Sequence, residues 1–431
     1  MFSEEIHDFT NSMDAIRGFV DSLEPVLIKR IDENFEANSE NLGILLLALQ
    51  DLSSTTEDSQ SFSLPEETKK KIKEDFKGDF EFIIENGNIN IKTVGEDAFK
   101  FGIAINTYKT LNQQKKLLYK SSLMSIISTV EGFLASMLHK YFKTYSTEIS
   151  PALIIKKDKQ FSLSELESFK DIEDAKNYIV ETKIENLIRC SFTEWIIFFK
   201  EKLSLSMGYL KDQEDVLNEI FQRRNVVVHN QGIVNSIYLA KVAEQFRKGV
   251  EKGETIDLSR PYLDSVINKL EFNFALIALE LWKKRVAKDN NRANLLTGII
   301  SEHVVEKRWD IIKGYSTFLM NDSKCSQVDK TFATVNYWLA CKRNGEFEQI
   351  KDKISSEDFS AYTLDFQICK AALLNKNEEV LTKMSKALDQ GIFGIADVKV
   401  WPIFDEIREE DKYLQLIQKW ENKTDDNSTV A

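Results

Sequence analysis

The chain has 431 residues, 42% hydrophobic and 29% charged, which gives enough apolar mass for two or three folded domains and excludes a disordered chain. With 57 basic and 69 acidic side chains the net charge is −12, so the overall field repels a polyanion, and any nucleic-acid site has to be a local basic pocket. Only 5 prolines are present, about 1% against a background of roughly 5%, and so few breakers imply a mainly α fold. Cys190, Cys325, Cys341 and Cys369 form no CxxC pair, so neither a disulfide framework nor a zinc site is indicated. The N-terminus, MFSEEIHDF, opens with acids, and no apolar run reaches the roughly 18 to 20 residues of a membrane span. A cytoplasmic protein without cofactor, metal or membrane contact is expected.

In chain order, Ile6, Phe9, Met13, Ile16, Phe19, Val20 and Leu23 recur at helical steps, and Pro25 should interrupt that first helix. Ser53 to Ser63 reads as a loop, and Lys69 to Lys73 as a solvated helix face. Phe80 to Ile84 and Ile89 to Ile91 flank Asn86-Gly87, a hairpin signal, and this is the one clear β element. Residues 1–111 are read as an N-terminal helical domain with a β-hairpin.

Residues 112–289 are read as a bundle of four or five helices. Leu123, Ile126, Ile127, Val130, Phe133, Leu134, Met137 and Tyr141 make one broad apolar face, with Glu131 at its edge. Helices are expected over Glu165 to Ser191, with a Ser162/Glu165 capping box, and over Phe192 to Leu205. Another follows Ser259, with Pro261 in its first turn and Leu263, Val266, Leu270, Phe274, Ile277 and Leu281 on its apolar side.

From residue 290 to 421 short helix pairs repeat. Ala340 to Asn344, then Phe347 and Ile350, matches Ala371 to Asn375, then Glu379 and Leu381, at an offset of 31 (375 − 344). This region resembles a tetratricopeptide (TPR)-like array, and its close, Val400-Trp-Pro-Ile-Phe-Asp405 with Tyr413 and Leu416, resembles the end of one. A stack of helical hairpins of another type fits the same residues. Either way it offers a groove for a protein partner or a sensor ligand. Residues 422–431 read as a flexible tail.

One segment carries chemistry: Phe221-Gln-Arg-Arg-Asn-Val-Val-Val-His-Asn-Gln-Gly232. Arg224 falls in the apolar stripe of Val216, Leu217, Ile220, Phe221, Val227 and Val228, where a guanidinium needs a carboxylate, a phosphate or a second subunit. Arg224 and His229 lie about 140° apart on a helix, whereas Asn225 and His229 share a face. To meet at one phosphate, the helix must break near the Val triplet, the arginine must reach round, or two copies must pool residues across a two-fold axis. His139 and His303 lack matched partners and read as structural.

Arg224-Asn225-Val-Val-Val-His229-Asn-Gln-Gly-Ile-Val resembles the signature of the HEPN superfamily of helical ribonucleases, in particular its defence-associated bacterial members. Ser128-Thr-Val-Glu131-Gly-Phe resembles the first bundle helix of that family. The resemblance covers about Leu117 to Arg285, roughly two fifths of the chain. It implies a homodimer whose paired motifs cleave an RNA substrate without metal, in a toxin or in an abortive-infection (antiviral, anti-phage) system. The chemistry agrees: RNA supplies its own 2′-hydroxyl nucleophile, and imidazole, which titrates near neutrality, can serve as base or acid. Arg224 and His229 are the expected catalytic groups. Asn225 is expected to orient His229, and Arg223 and Glu131 to contact substrate. The alternative is a non-catalytic scaffold in a defence or toxin–antitoxin complex, with Arg224 paired to Glu131 across the bundle and His229 sealing an interface. No phosphate-cradling Gly-Lys loop, nucleophile elbow or HExxH is present, and the acidic balance counts against a DNA-binding regulator.

Overall fold

The computed structural model describes residues 1–37, 78–85, 88–95, 98–145 and 161–428. The expected loop at Ser53 to Ser63, the face at Lys69 to Lys73 and the turn pair Asn86-Gly87 lie outside the described residues. The fold is mostly helical. The chain divides into two compact units, one of Met1–Met13, Ile127–Glu254 and Asp264–Ala431, the other of Asp14–Ile126 and Thr255–Leu263.

Helix α1 (Ser3–Ala37) continues through Pro25, where an interruption was expected. Proline deletes one backbone donor, and residue 25 is on the exposed side of the helix, where water can take up the freed carbonyl. Strands β1 (Gly78–Glu85) and β2 (Asn88–Gly95) pair antiparallel, with Ile84 opposite Ile89 and Phe82 opposite Ile91. Helix α2 (Ala98–Thr144) is continuous through residue 112, where a domain boundary was expected. Contrary to the sequence reading, α2 is long and apolar enough to cross a membrane by length and composition. Its apolar stripe is instead taken up by packing, with Leu123, Ile126, Ile127, Val130 and Met137 wholly buried.

The remaining bundle helices range from 5 residues to 26. Helix α3 (Leu163–Glu167) starts on the Ser162/Glu165 capping box, and α4 (Ile172–Ile188) restarts on Asp171, so the single helix expected from Glu165 is two. Asp171 causes the break: its carboxylate accepts from Asp174 N at 2.8 Å, an N-cap in mid-segment. Helix α5 (Phe192–Ile197) begins on a second capping box, Ser191/Glu194, and passes into one π turn, Phe198–Lys202. Helices α6 (Glu214–His229), α7 (Ser236–Lys241) and α8 (Arg260–Arg285) complete this part.

Helices α9 (Asn290–Val305), α10 (Trp309–Met320), α11 (Gln327–Arg343), α12 (Phe347–Ser356), α13 (Leu364–Leu373), α14 (Asn377–Asp389), α15 (Ile395–Val400) and α16 (Asp411–Ser428) form successive hairpins. Four turns share one closure, a backbone N–H reaching back five residues over a left-handed residue. They are Arg308 to His303 over Lys307, Glu346 to Cys341 over Gly345, Lys376 to Ala371 over Asn375, and Ile392 to Ala387 over Gly391. The second and third are 30 residues apart (375 − 345), one less than the sequence offset, because the closure aligns Gly345 with Asn375 instead of Asn344 with Asn375. Helix α16 also continues through Ser428, past the expected start of the tail, with Tyr413 and Ile417 buried and Glu421 paired to Lys399. Residues 429–431 lie outside the described residues.

The expected boundary at 289/290 coincides with the Asp289 N-cap of α9. It is braced by Arg292, which is 1% exposed. Its guanidinium donates to Val286 O at 2.9 Å, to Ala287 O at 3.1 Å, and to Asp322 Oδ2 at 2.7 Å from Nη2.

Candidate functional site

Helix α6 is seated by a row of aromatic contacts. Phe221 stacks on Phe192 at 5.3 Å and meets Trp195 edge-on at 5.2 Å, with Phe274 completing the cluster. Burial of Leu217, Ile220, Phe221, Val226 and Val227 fixes the rotation of the helix. His229 is its last residue, on the exposed side. Beyond it the chain turns through Gln231 (φ 56°) and Gly232 (φ 87°), whose N–H returns to Val226 O at 3.0 Å. The helix therefore does not break at the Val triplet.

Glu131, Arg224, Asn225 and His229 all line one cavity of about 630 Å³, floored by Phe192, Trp195 and Phe221. Although Arg224 and His229 project about 140° apart, the long arginine side chain brings its guanidinium to the same hollow. Arg224 Nη2 donates to Glu131 Oε1 from α2, and its Nη1 donates to Asn225 Oδ1 at 3.1 Å. Arg224 and Glu131 remain 24% and 26% exposed, so the pair is open to the cavity. Half-burial pushes the Glu131 carboxyl above the usual range, and the neighbouring guanidinium only partly offsets this.

Two expected contacts differ. The Asn225 carboxamide is engaged by Arg224, and no hydrogen bond joins it to His229 among the described residues. Arg223 is turned away from the cavity: its Nε donates to buried Glu219 Oε1 at 2.6 Å, and Tyr238 Oη donates to the same oxygen at 2.9 Å. Burial and the Glu219 charge raise the Tyr238 phenol well above its ordinary value, so it stays a donor. One residue apart on the helix, one arginine lines the hollow and the other braces the core.

The cavity also contains residues not singled out in the sequence. Arg189 and Lys241 line it, so three cations and one carboxylate surround the hollow. Ser191 and Asn235 add polar groups, and each also caps a helix that ends at the wall. The Ser191/Glu194 spacing was a readable cap signal. Nothing local to residue 241 signals that α7 folds back beside α6; it is held there by Tyr238 Oη donating to Glu219 and by Asn218 Nδ2 donating to Lys241 O at 2.8 Å. Among the described residues, no three His, Cys, Asp or Glu side chains gather as metal ligands. No family model, curated protein or solved structure matches the chain.

Proposed function

We propose that this protein is a metal-independent endoribonuclease of the HEPN type, acting in a bacterial anti-phage defence or toxin system as a homodimer. In this reading residues 112–289 are the HEPN-like bundle and residues 290–421 a TPR-like array. The observation that carries it is the convergence of Arg224 and exposed His229 on one polar cavity within a chain of net charge −12.

In the proposed reaction a base removes the proton of an RNA 2′-hydroxyl, and that oxygen bonds to the adjacent phosphorus. The P–O5′ bond breaks, and an acid protonates the leaving 5′-oxygen. The products are a 2′,3′-cyclic phosphate and a 5′-hydroxyl. His229 of each protomer supplies one of the two proton-transfer groups. Arg224 neutralises the non-bridging oxygens, with Glu131 and Asn225 holding its guanidinium. Lys241, and Arg189 on release of its exposed Glu185 pair, would contact flanking phosphates, a role the sequence reading gave to Arg223.

A second reading, a non-catalytic scaffold, draws support from the Arg224–Glu131 ion pair, which satisfies the guanidinium without substrate. The deciding experiment is cleavage of a labelled RNA in EDTA, with the 3′ ends analysed. The enzyme reading expects cyclic phosphate ends from the wild type and none from His229→Ala, and equal cutting by the two proteins rejects it.

A further inference from the structure

Gln222 lines the cavity shared by Arg224 and His229, and the reaction set out above gives it no role. The residue is 7% exposed, yet its carboxamide has no hydrogen-bond partner among the described residues, and neither of its polar atoms is sealed from solvent. Its polar neighbours are spoken for. Buried Glu219, one turn earlier on α6, accepts from Arg223 and Tyr238. The Asn225 carboxamide is engaged by Arg224, and Asn235 Oδ1 accepts from Tyr238 N at 2.9 Å. Buried polar groups in native proteins are matched, and here only the contents of the cavity can match one donor and one acceptor side by side.

The position of that carboxamide is set by the helix. Gln222 and His229 are seven residues apart, which on α6 is about 20° in direction and about 10.5 Å in rise. They therefore stand on one face, at opposite ends of a stripe that also carries Asn225. The surfaces beside Gln222 are apolar: Phe192, Trp195 and Phe221 form the floor, and Ile237, 61% exposed, stands on the wall. A planar heterocycle with apolar faces and a polar edge suits such a site, which is how unstacked RNA bases are held.

We propose that Gln222 reads the base beside the scissile phosphate and that this base is adenine. The inference rests on the ribonuclease reading of the same cavity. A carboxamide presents one acceptor oxygen next to one donor nitrogen. Adenine offers the complement on two edges, because its N6–H donor lies between the acceptors N1 and N7, so the paired contact forms whichever edge enters. Guanine matches only through N1–H and O6, since its N7 and O6 are both acceptors, and each pyrimidine has a single matching edge.

The test uses the full-length protein and four fluorescein-labelled uridine dodecamers that differ only in one central nucleotide, A, G, C or U. Wild type cuts beside the central adenosine about tenfold faster, in kcat/KM, than beside the other three, the discrimination expected of one bidentate pair. In Gln222→Leu, at unchanged melting temperature, the adenosine rate falls to the level of the others; should that variant fail to fold, Gln222→Met replaces it. Uncleavable 2′-O-methyl versions of the four are followed by anisotropy in parallel. Cutting without base preference, preference for another base, or an adenosine preference that survives the substitution overturns the assignment and leaves the nuclease reading standing. No cutting, together with adenine-selective binding that Gln222→Leu abolishes, overturns the nuclease reading and keeps the base site. Neither cutting nor selective binding overturns both.

Discussion

Arg224 of α6 and Glu131 of α2 are ion-paired on the wall of the cavity that His229 also lines. Two helices separated by some ninety residues of sequence thus hold one guanidinium in place. The first prediction follows from that arrangement. Arg224→Ala should lower RNA cleavage by about 10²–10³-fold, as loss of one charge-stabilising donor does. His229→Ala should lower it by about 10²–10⁴-fold. Both should leave the circular dichroism spectrum and the elution volume unchanged; a variant that unfolds instead would assign these side chains to the fold.

Glu131→Gln separates charge from shape. Burial raises the Glu131 carboxyl, so the folded state holds this proton more tightly than the unfolded chain. The stabilisation from the protonated form is complete below the unfolded value of about 4.5 and is lost as pH rises through the folded value. Glu131→Gln, which mimics the protonated form, should therefore melt no lower than wild type at pH 7, and the difference should narrow in acid. Melting curves across this range check the sign.

Arg292→Ala should be among the most destabilising single changes, at about 3–5 kcal/mol, because it removes the close partner of buried Asp322 and leaves only Lys283, 3.8 Å away, to offset its charge. Burial alone would raise the Asp322 carboxyl, but the Lys324 N–H and the Arg292 guanidinium hold it below its usual range. A depressed carboxylate contributes stability above its unfolded pKa that is lost as pH falls through the folded value. Denaturant midpoints should show wild type losing stability in acid more steeply than Arg292→Ala.

Gly314→Val should destabilise the α8–α10 contact. A Cβ at Gly314 would stand 1.9 Å from the Phe272 ring, and overpacking of this kind costs about 1–3 kcal/mol. Gly314→Val with Phe272→Ala should recover part of the loss. Additive losses would show that the two positions are not in contact.

Much of this molecule was legible in the sequence because the signals were local. The apolar face of α2, the Ser162 capping box and the antiparallel pairing of β1 with β2 depend on residues that are close neighbours in the chain. The cavity was legible only in part. Arg224 and His229 stand out as residue types at a given spacing, but Arg223 differs from Arg224 only in the tertiary partner it meets, Glu219 instead of Glu131. Arg189 and Lys241 were invisible because they reach the wall only through chain reversals whose course the residue pattern does not give, before α5 for Arg189 and through Gln231-Gly232 for Lys241. Pro25 and the segment from residue 422 to 428 went the other way: the breaker signal at Pro25 was overridden by its solvent exposure, and the polar signal after residue 421 did not end α16.

The Arg292 brace also bears on how the chain can be divided. A cut at residue 289 looks natural on sequence grounds, yet the guanidinium just beyond it saturates carbonyls just before it. A fragment beginning at Asn290 would keep the Asp322 partner but lose both carbonyls, and one ending at Asp289 would present them bare. The junction is a weld, and separate expression of the two halves should yield pieces that recover solubility only when mixed.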